Sequence, residues 1–189
     1  MKKLIAGVDE VGRGSLIGPV CAAAVILNNK INIKKLKDSK QLSQNKREIL
    51  EKYIKENSFW AIGYASKFEI EKLNILNASL LAMKRAIKKL KKKPKLVLID
   101  GNRIPKMRNY KIKNIIKGDR KIPEISAASI IAKVSRDRLI KKISRKYIKY
   151  NWHKNAGYGT SEHLKAIKKF GITKYHRKTY RPIYNILSH

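Results

Sequence analysis

Residues 4–14 read Leu-Ile-Ala-Gly-Val-Asp-Glu-Val-Gly-Arg-Gly, an apolar run that meets two adjacent carboxylates and then turns through glycines. Leu4 to Val8 have the length and composition of a short buried strand, which makes Asp9 and Glu10 its delivered residues. Gly18-Pro19 punctuates the chain before a second apolar run, 20–27, with Asn28-Asn29 as the following turn. The two runs predict a hairpin. Farther out, residues 44–56 place Ile49, Leu50, Tyr53 and Ile54 on one helical face, and Ser58 to Ser66 read as a strand. From Asn77, the residues Leu80, Met83, Ile87 and Leu90 recur at helical spacing until Lys91-Lys92-Lys93-Pro94 stops the pattern. Lys95 to Ile99 form the next strand and deliver Asp100, while Ile112 to Ile116 form another and deliver Asp119. Pro123 suits a first helical turn, and residues 126–147 continue it with the small residues Ala127, Ala128 and Ala132. Strands alternating with helices after a hairpin predict an α/β sheet of mixed direction. Without repeats or a Gly/Ser linker, residues 1–189 read as a single domain, with 150–189 as a helical C-terminal extension.

The chain carries 46 Lys and Arg against 13 Asp and Glu, a formal net charge of +33. In a sequence with clear hydrophobic periodicity this excess argues for a folded protein that meets polyanions, nucleic acid first among them. The surplus is mostly lysine in a chain also rich in Ile and Asn, so compositional drift accounts for part of it, and the scarce acids carry more information. One cysteine, Cys21, excludes an internal disulfide and a cysteine-based zinc cluster; it reads as an inert core residue in a reducing compartment. No run approaches the roughly 18 apolar residues of a membrane span, and Asp9 and Glu10 interrupt any N-terminal signal. The expected location is the cytoplasm.

Four acids, Asp9, Glu10, Asp100 and Asp119, stand at or just beyond strand ends, where open α/β sheets build their sites. Each alone is also explained as a cap or turn residue. Gathered together, they repel one another unless a cation neutralises them. Hard oxygen donors without Cys or suitably spaced His select Mg²⁺ or Mn²⁺ over Zn²⁺. Two such ions roughly 4 Å apart hydrolyse phosphodiesters, which joins the acids to the basic surroundings in one hypothesis.

The segment Gly7-Val8-Asp9-Glu10-Val11-Gly12-Arg13-Gly14 closely resembles the opening motif of the bacterial type 2 ribonucleases H, the ribonuclease HII family. Segments 38–43, 73–78, 99–102, 117–119, 125–134, 157–160 and His176-Arg177 resemble the same family in the same order. The resemblance implies a ribonuclease H-like fold, a five-stranded mixed sheet flanked by helices, with a helical C-terminal region. It implies an endonuclease that hydrolyses the RNA strand of RNA/DNA hybrids and incises 5′ of single ribonucleotides in duplex DNA, leaving 3′-hydroxyl and 5′-phosphate ends. Such an activity belongs to ribonucleotide excision repair and DNA replication. By motif, Asp9, Glu10, Asp100 and Asp119 correspond to the family's metal-binding carboxylates, with two Mg²⁺ or Mn²⁺ ions when substrate is bound. Gly12, Arg13 and Gly14 resemble the loop that reads the ribose 2′-hydroxyl, and Tyr158 matches the tyrosine that packs on the deoxyribose after the junction. Lys40 is a candidate phosphate contact, with Ser39 and Asn77 as weaker ones; taken alone, Lys40 reads as solvated charge. Asp137 reads as a helix-surface ion-pair partner. His163 and His176 stand in family contexts that imply core or substrate-edge roles and no metal ligation. Lys178-Thr179-Tyr180 departs from the family's usual Arg-Ser-Phe, which touches C-terminal contacts and leaves the chemistry alone. A monomer without a sliding-clamp tail is expected.

Three other readings are weaker. The related type 3 enzymes carry Gly-Thr-Gly where this chain has Gly12-Arg13-Gly14, and an extra N-terminal domain for which Asp9 arrives too early. A resolvase-like nuclease lacks the junction motif. A basic, non-catalytic binding protein of the ribosomal kind explains the lysines and leaves the four acids unexplained.

Overall fold

The computed structural model describes residues 4–29, 31–36 and 43–188. Five strands, β1 (Ile5–Val11), β2 (Val20–Leu27), β3 (Ser58–Ala65), β4 (Leu96–Asp100) and β5 (Ile112–Ile115), form one sheet in the order β3-β2-β1-β4-β5. β1 runs antiparallel to β2 and parallel to β4, so the predicted hairpin and the mixed sheet are both present. The helices are α1 (Gln44–Glu56), α2 (Lys67–Lys88), α3 (Pro123–Ser144), α4 (Trp152–Asn155), α5 (Ser161–Phe170) and α6 (Arg181–Leu187).

β2 is apolar at every position because both of its faces are covered, the pattern of a strand inside a three-layer fold. Ala22 and Ala24 join Ala6, Val8, Met83 and Ile87 on the α2 side, while Ala23 and Val25 join Ala128 and Ile131 on the α3 side. Small residues on the strands let both long helices approach closely. The approach is tightest at Gly7, where an added Cβ would stand 2.1 Å from the Glu124 carbonyl carbon at the start of α3.

Two local expectations need correction. Ile49 is 72% exposed; only Leu50 and Ile54 of the expected face are buried, because α1 is covered on one narrow side. The helix expected from Asn77 begins ten residues earlier, at Lys67, behind a capping box in which Ser66 Oγ accepts the Glu69 N–H and the Glu69 carboxylate accepts the Ser66 N–H. It kinks at Asn74, whose φ of 65° breaks the helical path, and that break hides the first half from a periodicity reading.

Residues 150–188, together with Leu16, Ile17 and Ile140, form a separate small core around the fully buried Trp152. Residues 15–18 thread between its loops: Ser15 bridges Tyr158 and Ile17 bridges His176. Inside this core the Trp152 Nε1–H donates to His163 Nε2 at 2.8 Å, so that nitrogen is an acceptor and the His163 ring proton sits on Nδ1. Nδ1–H in turn donates to the Tyr158 carbonyl at 2.9 Å. His176 then donates from Nε2 to His163 Nε2 over 3.3 Å, while its own Nδ1 accepts the Thr173 N–H at 2.8 Å. Both imidazoles are neutral in this wiring. Burial, reinforced by neighbouring His163, pushes His176 down to about 4. An unfolded chain takes up a proton near pH 6.5 while folded His176 stays neutral until about pH 4, so its contribution is complete above pH 6.5 and is lost as pH falls through that window. We expect thermal unfolding to show a Tm loss of a few degrees between pH 6.5 and 4 that is smaller in His176→Gln; equal pH slopes for both proteins would refute the assignment.

Candidate active site

β1 and β4 are parallel neighbours, with Val8 opposite Ile99, so Asp9 and Glu10 within the last three residues of β1 and Asp100 at the end of β4 come to the same end of the sheet. Asp9, Glu10 and Asp100 line one cleft of about 350 Å³, together with Arg47 from α1 and Ser129 and Lys133 from α3. Asp9 is buried. One of its carboxylate oxygens accepts the Glu10 N–H at 2.7 Å. Asp100 Oδ1 accepts the Gly118 N–H at 2.7 Å, which ties the end of β4 to the turn that carries Asp119. Asp119 is buried in that turn and lies outside the lining of the cleft, yet its charge reaches Asp9.

Burial pushes the Asp9 carboxyl well above the ordinary carboxylate range, and the charges of Glu10, Asp100 and Asp119 push it the same way. Burial also raises Glu10, against the pull of Arg13, whose Nη1 stands 3.2 Å from Glu10 Oε1. The cluster thus destabilises its own ionised form, and a cation would relieve it. Among the described residues no three His, Cys, Asp or Glu side chains form a ready-made metal cage. The donor set fits an ion of the Mg²⁺ or Mn²⁺ kind, which keeps water and substrate phosphate oxygens among its ligands and needs few from protein.

The Gly-rich loop adjoins this cleft. Gly12 has φ of 90°, a left-handed conformation that favours glycine, and an added Cβ there would meet Arg136 Nε at 2.1 Å. Arg136 and Arg177 are both fully buried, without a carboxylate at ion-pair distance among the described residues. Their guanidinium groups donate to loop carbonyls: Arg136 to Ile17 and Pro19, and Arg177 to Gly18 and Arg13. Turning these carbonyls inward leaves other loop groups for the outer surface. Arg13 and Gly14 are exposed, and the Tyr158 ring lies 3.9 Å from where a Gly14 Cβ would be. Lys133, which lines the cleft, holds Asp137 at 3.0 Å and stands 6.0 Å from the Tyr158 ring centre, linking the carboxylates to Tyr158. Asp137 therefore does have the ion-pair partner expected for it.

Asn77 is not brought to this cleft. Its N–H is capped by Asn74 Oδ1 and its side-chain amide donates to the Leu73 carbonyl, so it stabilises the restart of α2 after the kink. Ser39 and Lys40 lie outside the described residues. Arg47, Ser129, Lys133 and the two buried arginines were not anticipated. Ser129 and Lys133 fall inside the quoted 125–134 motif and could have been found by asking which α3 positions face the strand ends, whereas Arg47 carries no local signal.

The family model described as ribonuclease HII matches residues 6–185. A ribonuclease HII from Pelagibacter ubique is 71% identical over 98% of this chain and 100% of that protein. Among solved structures, the ribonuclease H2 of Pyrococcus horikoshii superposes with a TM-score of 0.80 at 29% identity, covering 97% of each chain. The Mn²⁺ complex of Bst-RNase HIII gives a TM-score of 0.71 at 17% identity over 98% of this chain and 70% of that one, a likeness of fold.

Proposed function

The chain belongs to the ribonuclease HII family of ribonuclease H-class nucleases, and on that premise we propose that it hydrolyses the RNA strand of RNA/DNA hybrids and incises 5′ of single ribonucleotides embedded in duplex DNA. The observation that carries this reading is the meeting of Asp9, Glu10 and Asp100 in one cleft beside Tyr158 and the Gly12-Arg13-Gly14 loop. Chemistry and ribonucleotide recognition would thus act on one substrate.

Asp9, Glu10, Asp100 and Asp119 would hold the metal. Bound Mg²⁺ or Mn²⁺ ions, two with substrate in place, supply activation of the attacking water and neutralisation of the leaving 3′ oxygen. Arg13, Arg47 and Lys133 neutralise phosphate charge around the carboxylates, with Lys40 and Ser39 as further substrate contacts. Backbone groups of Gly12 to Gly14 reach the ribose 2′-hydroxyl, because glycine leaves room for a sugar against the chain. The ring nitrogens of His163 and His176 are already engaged, so neither serves as the base, and the water's proton passes to a substrate phosphate oxygen or to solvent. The enzyme works in the cytoplasm in ribonucleotide excision repair.

The test is a gel assay on duplex DNA carrying one ribonucleotide. A single incision 5′ of the ribonucleotide, with 3′-hydroxyl and 5′-phosphate ends and only when Mg²⁺ or Mn²⁺ is added, is expected; binding without incision would return the chain to the class of basic binding proteins. Tyr158→Ala removes a ring contact with roughly 50 Å² of sugar, about 1.3 kcal/mol or about tenfold in rate. It should therefore lower single-ribonucleotide incision about tenfold more than cleavage of an all-RNA strand. Equal losses on the two substrates would remove Tyr158 from junction recognition.

A further inference from the structure

Tyr158 sits in a turn whose backbone is unfavourable on its own. Ala156 has φ of 48° and Gly157 has φ of 77°, two consecutive left-handed residues, the first of them not glycine. Such a conformation is unfavourable for a residue with a Cβ and persists where the surroundings over-determine it. The Tyr158 ring itself is half-buried, with Lys133 and Arg136 near its face and no close-packed apolar wall. Its aim is therefore set through its backbone. The Tyr158 carbonyl accepts two hydrogen bonds, one from the Thr160 N–H at 2.9 Å and one from His163 Nδ1–H at 2.9 Å. Of these two, only the second comes from the buried core; the preceding carbonyls of the turn, Ala156 and Gly157, are held by Arg136 Nη1, Ser15 Oγ and the Leu16 N–H, which leaves the Tyr158 carbonyl to His163.

We propose that His163 is a positioning residue that holds Tyr158 against the sugar by clamping the Tyr158 carbonyl, with the Trp152 Nε1–H fixing its tautomer and His176 beside it as a second, longer contact. The inference rests on the junction-reading role proposed for Tyr158. The wiring supplies the logic. His163 can donate to Tyr158 from Nδ1 only while Nε2 is an acceptor, and two donors, Trp152 Nε1–H and His176 Nε2–H, point at Nε2. His176 is held in the donor tautomer because its Nδ1 receives the Thr173 N–H. The chain of donors runs in one direction, from Thr173 through His176 and His163 to Tyr158. His176 also bridges Ile17, so the same pair registers the Tyr158 turn against the segment that follows the Gly-rich loop.

Two substitutions at one site separate clamping from core filling. An asparagine amide can occupy the place of Nδ1 and a glutamine amide the place of Nε2. His163→Asn keeps a donor for the Tyr158 carbonyl, and His163→Gln keeps only the acceptor toward Trp152 and His176. Each variant is assayed, after its thermal unfolding transition establishes that it is folded, for the ratio of single-ribonucleotide incision to cleavage of an all-RNA strand. We expect His163→Gln to lower that ratio about tenfold, as Tyr158→Ala does, and His163→Asn to stay within about twofold of the parent. The double variant Tyr158→Ala/His163→Gln should be no lower than Tyr158→Ala alone, since both act through one ring. A folded His163→Gln with the parent ratio, beside a Tyr158→Ala that lowers it, overturns the clamp and leaves the role of Tyr158 standing. A Tyr158→Ala with the parent ratio instead overturns the role of Tyr158 and the clamp with it. Nitrogen-15 spectra of the imidazoles test the wiring in the parent protein: neutral rings protonated on Nδ1 of His163 and Nε2 of His176 are expected, and a His163 proton on Nε2 overturns the proposal whatever the variants do.

Discussion

Asp9→Asn abolishes incision while leaving the protein folded, at least as stable as the parent, and able to bind its substrate. The two halves of this expectation have one origin. Burial and the charges of Glu10, Asp100 and Asp119 hold the Asp9 carboxyl far above its ordinary range, so its ionised form strains the folded state. The amide has nearly the same shape, keeps an oxygen that can accept the Glu10 N–H, and carries no charge. Unfolding at pH 7 should therefore occur at the same or a higher temperature. Activity should move the other way, because the metal ligand proposed at Asp9, worth several kcal/mol of charge stabilisation, is gone, a rate loss of about 10³-fold or more. Affinity for duplex DNA with one ribonucleotide should hold or rise, since a negative charge beneath a phosphate has been removed. Asp100→Asn and Asp119→Asn should also fail to incise. Retention of a tenth of the parent rate by all three would remove the metal role from the cluster.

Asp119 is the demanding member of that set, and it marks where sequence stops informing. Its placement just beyond a strand pattern was legible, as were Asp9, Glu10 and Asp100, because a short apolar run followed by an acid is a local signal. What was not legible is that Asp119 approaches through a buried turn secured by the Gly118 N–H to Asp100, and lies behind the cleft's lining. That arrangement depends on the parallel register of β4 and β5, Asp100 opposite Ile115, which no local pattern encodes. Arg47 belongs to the same category: a surface-type residue on α1 becomes part of the cleft only because α1 packs across α3. The first half of α2 was lost for a different reason, since the left-handed Asn74 shifts the helical phase and breaks the periodicity that reveals a helix. The buried arginines invert the usual rule for charge. Apart from the Tyr180 hydroxyl beside Arg177, their partners are backbone carbonyls, which leave no trace in side-chain patterning.

Gly7→Ala should be the most damaging single methyl in the chain's central strand. Gly7 has an ordinary extended backbone, so the cost is one of space. Its Cβ would stand 2.1 Å from the Glu124 carbonyl carbon and 2.2 Å from the Ile125 nitrogen, main-chain atoms in the first turn of α3 that cannot rotate aside. Relief requires α3 to move from the sheet by an ångström or more, opening the layer in which Ala127, Ala128 and Ile131 pack on Ala23 and Val25. Overpacking of this kind costs about 3 kcal/mol, which for a chain of this size lowers Tm by roughly 6 to 12 °C. Gly171→Ala is a contrast in kind: with φ of 75°, ψ of −170° and nothing within 4 Å of its added methyl, it bears backbone strain alone, on the order of 1–3 kcal/mol. The displacement also reaches the site, because Gly7 lies two residues before Asp9 while α3 carries Ser129 and Lys133 on the opposite wall of the cleft. Incision measured below the lowered Tm should therefore fall for Gly7→Ala and stay near the parent value for Gly171→Ala. A Gly7→Ala protein with the parent Tm and the parent incision rate would mean that β1 and α3 are not in the contact that positions the carboxylates.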